Sequence, residues 1–152
     1  MENTNLSEAL FRFRNGSNCA QAVLSTYFKA LDLDEALAHR MGAGLGGGVG
    51  RKQYVCGAVN AGAIVLSAVH GNADRSDVAQ KEATTLRVRK YVDEFEEEFG
   101  TSQCRGLLGM DTSTPEGRKT ASEAGLFDTV CVDCIKKVCL LLEEEIGSNK
   151  KA

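Results

Sequence analysis

Apolar residues recur every three or four positions along almost the whole chain, and no stretch sustains a two-residue alternation. The first period stacks apolar side chains on one helix face, whereas the second would mark a half-buried strand. A single proline in 152 residues leaves little to interrupt the helices. The chain is therefore expected to be all-α. It should form one domain over residues 1–152, a bundle of about five main helices plus short helical turns, with a glycine-rich loop before the central helix. A chain of this length buries enough apolar surface to fold without disulfides or metal.

Local signals set the expected boundaries. Leu6, Ala9, Leu10 and Phe13 share a face, and Gly16 stops that first helix. Ser17 or Asn18 can cap a second, with Cys19, Ala22, Val23, Tyr27, Ala30 and Leu31 inward. Asp34 begins a short third helix ending near Met41, and GAGLGGGVG follows at residues 42–50, six glycines in nine positions. A fourth helix, roughly Tyr54 to Val69, is apolar on nearly all sides and should be central. Ser76 is placed as the cap of a long fifth helix that turns Ala79, Ala83, Leu86, Val92, Phe95 and Phe99 inward and ends at Gly100. Ser102 opens a helical turn through Leu108, Thr114-Pro115-Glu116 starts a further piece closed by Gly125, and Asp128 caps the last helix. That helix runs to about Ile146, with Cys131, Ile135, Val138, Leu142 and Ile146 on one face.

Charge and hydropathy remove several function classes. The net charge is −3 with no basic block, and only Lys150 and Lys151 cluster near an end, so no nucleic-acid partner is expected. The first residues lack the basic-then-apolar pattern of a signal peptide, and the most apolar segment, Cys56 to Val69, is too short to span a bilayer. A cytoplasmic protein with no membrane partner is the expectation. In that reducing compartment six cysteines do not read as a permanent disulfide framework; they bind metal, cycle redox state or fill core space.

The cysteines fall at particular places on the expected helices. Cys19 follows the Ser17/Asn18 cap, Cys104 lies two residues past Ser102, Cys131 three past Asp128, and Cys56 opens the central helix after the glycine loop. In a first helical turn, unpaired N–H groups and the helix dipole favour negative charge, so these thiols are expected to ionise easily. Arg51, Lys52 and Arg105 could add positive potential. A thiolate is both the nucleophile of disulfide exchange and the ligand of zinc or an iron–sulfur cluster. Cys131-Val132-Asp133-Cys134 is a CxxC without a second copy, which rules out a four-cysteine zinc ribbon of ordinary spacing. Cys139, on the flank of the same helix, reads as packing. Residues 42–47 match GxGxxG in form, but a helix precedes them where a dinucleotide fold needs a strand. The glycines, Gly46, Gly47 and Gly48 above all, read instead as backbone passing close to a buried site beside Cys56, with N–H groups turned toward thiolates or sulfides. His39 and His70 read as residues of C-terminal helical turns.

Together these segments resemble a known family. Residues 18–24 (NCAQAVL), 44–51 (GLGGGVGR) and 56–59 (CGAV), then 104–109 (CRGLLG), 114–117 (TPEG) and 125–127 (GLF) ahead of Cys131, are similar in order to the proteins labelled C_GCAxxG_C_C and described as putative redox-active. This sequence departs from the label at Val55, which precedes Cys56, and at Gly57-Ala58, which follow it; Cys134 and Cys139 lie beyond the shared set. The resemblance implies small helical proteins frequent in anaerobes, related to a domain fused to a multihaem-type cytochrome in which cysteines hold an iron–sulfur cluster. Carried onto this chain, the reactive or metal-ligating cysteines are Cys19, Cys56, Cys104 and Cys131. The implied function is redox, through an iron–sulfur cluster or thiol–disulfide exchange, with an unidentified redox partner protein. Zinc or a small ligand held without redox turnover is the alternative, and a homodimer is left open.

Overall fold

Short polar side chains decide where the helices begin. Asn3 accepts from the Leu6 amide at 3.0 Å, Asn18 from Gln21 at 2.8 Å, Asp34 from Leu37 at 2.8 Å, Asp77 from Gln80 at 3.0 Å and Thr114 from Gly117 at 3.0 Å. Each satisfies an N–H that the first helical turn leaves without a partner. The computed structural model describes residues 3–150; Lys151 and the side chain of Lys150 lie outside what is described. The helices are α1 (Thr4–Arg14), α2 (Cys19–Thr26), α3 (Glu35–Met41), α4 (Gly57–His70), α5 (Val78–Phe99), α6 (Cys104–Leu108), α7 (Pro115–Glu123) and α8 (Val132–Lys150). A π-helical turn, Phe127–Cys131, leads into α8. Among the described residues there is no strand, only an isolated antiparallel bridge between Val55 and Gln103. The all-α expectation stands, with the bundle divided into more and shorter helices.

α4 runs through the middle and packs against α2, α5 and α8. Val59, Val65 and Leu66 of α4 meet Val23 and Leu24 of α2, Tyr91 and Phe95 of α5, and Ile135, Val138 and Leu142 of α8 in one buried cluster. Full burial of such a side chain contributes about 1.5–3 kcal/mol. Among the described residues no helix is long and apolar enough to cross a membrane.

Several boundaries differ from expectation. α2 ends at Thr26, and the chain to Leu33 continues in turns closed by the left-handed Asp32. α4 starts at Gly57 rather than Tyr54, because Tyr54–Cys56 is extended backbone paired with residues 102–104. Asp77, not Ser76, caps α5, and Gln103 rather than Ser102 precedes α6. On α5 the expected Val92, Phe95 and Phe99 do turn inward, joined by Thr84, Val88 and Tyr91, but Ala79 and Ala83 are exposed, and Leu86 is 51% exposed. Early in that helix the contacts with the end of α4 are polar, Thr84 Oγ1 donating to His70 O at 2.8 Å.

Asn18 links α2 to the glycine loop. Its amide donates to the carbonyls of Gly42 and Ala43 at 3.1 and 3.2 Å, while Gln21 Oε1 accepts from the Asn18 N–H at 3.0 Å to complete a capping box. Asn18→Ala is expected to lower stability by about 1–2 kcal/mol. Calorimetry should show this as a fall in Tm of roughly 2–8 °C.

Candidate functional site

Five of the six cysteines come together where α2, α4, α6, the π turn and α8 meet. Cys19 is the first residue of α2, Cys56 the N-cap of α4, and Cys104 the first residue of α6. A short backbone pairing fixes two of these segments side by side. The Cys56 N–H donates to Ser102 O at 2.8 Å, Cys104 N–H to Tyr54 O at 2.7 Å, and Arg105 N–H to Gln53 O at 3.2 Å. Cys19 reaches the same point because residue 57 has no side chain. A Cβ on Gly57 would lie 2.7 Å from Cys19 Sγ and 2.8 Å from Leu45 O.

Cys56 and Cys134 are buried, and Cys19, Cys104 and Cys131 are half-buried. The Cys56 thiol faces both Cys134 and Cys19, while Cys131 is near enough to feel Cys19 and Cys104. Cys134, left without a role by the sequence, thus joins the group. The two cysteines of the CxxC part ways: Cys134 turns into the core against Cys56, and Cys131 lines a cleft. Cys139 stands apart, beside the Tyr27 hydroxyl and Glu143. His39 bonds Ser17 Oγ at 3.0 Å, and His70 ends α4 with its carbonyl accepting from Thr84 Oγ1 at 2.8 Å; neither reaches the sulfurs.

The expectation of easily ionised thiols is overturned. Contact with Cys134 is the main influence pushing Cys56 up to about 12. Burial raises Cys131 to about 12 and Cys104 to about 11, with further increments from neighbouring cysteines. Cys19 is pushed well above the ordinary thiol range by Cys56 and then by burial. The magnitudes explain the sign. A helix terminus offers roughly 0.3–1 kcal/mol to a charge, less than one pKa unit, whereas burial alone can shift a group by about 3–5 units. Cys131 loses even the terminus, since the helical run begins at Leu126 and Asp128 lies inside it rather than capping it. Arg105 is drawn toward Asp111 at 4.0 Å, and Lys52 lies over the Tyr54 ring.

Backbone amides oppose this trend without reversing it. Those of Gly47 and Ala58 favour the Cys19 thiolate, and that of Val59 favours Cys56. Of the three loop glycines singled out, Gly47 thus turns its N–H toward a sulfur. Gly46 makes room for Asn18, and Gly48 O accepts the Tyr54 N–H at 2.9 Å. Gln53 was not legible in the sequence. It is buried in a left-handed backbone conformation, donates to Met110 O at 2.9 Å, accepts from Thr112 N–H at 3.0 Å, and its side chain favours the Cys104 thiolate. A cleft of about 540 Å³ opens over the group, with Cys19 and Cys131 in its lining. Among the described residues no three His, Cys, Asp or Glu side chains already stand at the spacing of one metal ion.

The comparison that bears on this arrangement is a family model, described as "Putative redox-active protein (C_GCAxxG_C_C)", which matches residues 17–145. The chain belongs to that family. The match starts two residues before Cys19 and takes in all six cysteines, the glycine loop and α4. No curated protein matches the chain, and no solved structure does. For this C_GCAxxG_C_C protein, the family description and the cysteine group point to the same chemistry, that of redox.

Proposed function

We propose that this protein carries out redox chemistry at the cysteine group, with Cys19, Cys56, Cys104 and Cys131 holding an iron–sulfur cluster and Cys134 supporting Cys56 from the core. The observation that carries this reading is the convergence of cysteines from separate segments at one place. The donor set suits a cluster better than a single ion. A lone tetrahedral ion needs its thiolates gathered around one centre, whereas a cluster's inorganic core holds its ligands further apart. Crowded thiols also suit a cationic guest, because a bound metal displaces their protons and its charge offsets the repulsion between the thiolates so formed. When bound, such a cluster supplies one-electron transfer. The chain's own part is to orient the four sulfurs, to aim the Gly47, Ala58 and Val59 amides at them, and to bury Cys56 away from water. Donor N–H groups and burial are the means by which a protein sets a cluster's potential.

A second reading has its own observation. Cys56 faces Cys19 directly, so the two form a dithiol that an external disulfide could oxidise, with Cys19 at the cleft as the attacking sulfur. The raised pKa values make that attack slow at neutral pH, which favours the cluster.

Anaerobic purification and reconstitution with iron and sulfide tests both. Visible absorbance with stoichiometric iron and sulfide, lost in Cys131→Ser, is the expected result. Colourless protein whose Cys19–Cys56 pair oxidises reversibly, and does so unchanged in Cys131→Ser, would replace the cluster with the dithiol. Colourless protein with bound zinc would remove redox turnover altogether.

A further inference from the structure

We infer that the cleft over Cys19 and Cys131 binds a small molecule carrying an oxyanion, a carboxylate or a phosphate, on an apolar body. The site is the one proposed above, so what the ligand does there rests on that redox reading, whereas the binding does not. Two arginines, Arg51 and Arg118, line the cleft, and no aspartate or glutamate among the described residues does. Arg12, Arg87 and Arg105 meet carboxylates, Glu8 and Glu35, Glu145, and Asp111 respectively, whereas Arg51 and Arg118 are set together on a cleft that holds none. Neither cleft arginine has an ion-pair partner among the described residues. Arg118 spends one N–H on Thr112 O at 3.3 Å, a long bond that leaves most of its fork free.

The position of Arg51 is built rather than incidental. It sits at the end of the glycine loop in a left-handed conformation, with φ of 59°. Its N–H donates to Gly46 O at 3.3 Å, and its stem lies so close to Gly47 that a Cβ there would be 2.9 Å from Arg51 Cγ. The loop thereby folds the arginine back over the cleft. No carboxylate among the described residues lines the cleft to cancel this charge. Asp128 raises the Cys131 pKa from the π turn but lies outside the cleft lining, and Asp111 is taken up by Ser113 and Arg105. Phe13 and Phe127 supply apolar wall. A volume of about 540 Å³ falls within the roughly 300–1,000 Å³ of small-molecule sites. A planar fork binds carboxylate or phosphate through two parallel N–H bonds, so two arginines on the lining of one cavity favour an oxyanion over a neutral guest. The sulfurs against which that guest would lie are Cys19 and Cys131, since Cys56 and Cys134 are buried beneath.

The test uses the full chain purified anaerobically, titrated with sodium benzoate, inorganic phosphate and uncharged benzyl alcohol, and followed by ligand-observed NMR. Iron content is measured on the same sample. At least one anion should bind saturably and benzyl alcohol should not. Arg51→Gln and Arg118→Gln should each weaken binding about tenfold or more, while Arg89→Gln on α5 leaves it unchanged. Preference for benzoate or for phosphate then tells which oxyanion the cleft takes. No saturable binding of either anion overturns the inference. So does binding that the two cleft variants leave intact with unchanged circular dichroism, or benzyl alcohol binding as well as benzoate. Protein that loads iron yet binds no anion sinks the inference and spares the redox reading; anion binding without metal or reversible thiol oxidation does the reverse.

Discussion

Cys56→Ser is expected to abolish iron uptake while leaving the helices in place. Cys56 faces two other cysteines and belongs to both redox readings. Its loss removes a ligand in one and half of the dithiol in the other. Removing an outer-shell partner of a metal site already costs about 10–100-fold in affinity, so losing a ligand should cost at least about 100-fold. The substitution is also structurally mild. Cys56 is the N-cap of α4 and makes no side-chain capping bond there, and serine is among the preferred residues for that position. Circular dichroism should stay near wild type while iron, sulfide and visible absorbance fall to background. Cys139→Ser provides the contrast. Its sulfur sits with Tyr27 and Glu143, away from the group, so it should change stability and leave iron content alone. Full iron loading in Cys56→Ser would remove that residue from the site.

Gly57→Ala should damage fold and site together. A Cβ there meets Cys19 Sγ at 2.7 Å, Leu45 O at 2.8 Å and Ala20 Cβ at 3.3 Å. One of these is backbone and another sits on the first turn of α2, so the helix and the glycine loop must both shift. Overpacking of this kind costs roughly 1–3 kcal/mol. The higher helix propensity of alanine returns at most about 1 kcal/mol. Chemical denaturation should therefore show a net loss of about 1–2 kcal/mol, and reconstituted iron should fall because Cys19 is displaced from Cys56. The double variant Cys19→Ala/Gly57→Ala should recover part of the stability and none of the iron. Wild-type stability with full iron in Gly57→Ala would show that α2 and α4 need not approach so closely.

The candidate site was partly legible. That Cys19 and Cys104 each open a helix followed from caps and glycines, signals that lie within a few residues of each other. Cys134 was not assignable, because which segments the two cysteines of the CxxC meet depends on the fold: Cys131, at the end of the π turn, reaches the cleft, and Cys134, within α8, meets Cys56. Gln53 had no signal at all: its partners Met110 and Thr112 are brought to it by the fold. The ionisation expectation erred because a helix terminus is visible in sequence and burial among other thiols is not.

By itself, the sequence determined the all-α class, the starts of α2, α3 and α7 and the choice of the cysteines as candidate chemical residues, since periodicity and capping are local properties of a few neighbouring positions. Only the tertiary structure decided which sulfurs meet, that their pKa values rise rather than fall, and that two unpaired arginines overlook them. Those outcomes depend on contacts between segments far apart in the chain, on how deeply each sulfur is buried, and on the gap left by one missing Cβ at Gly57.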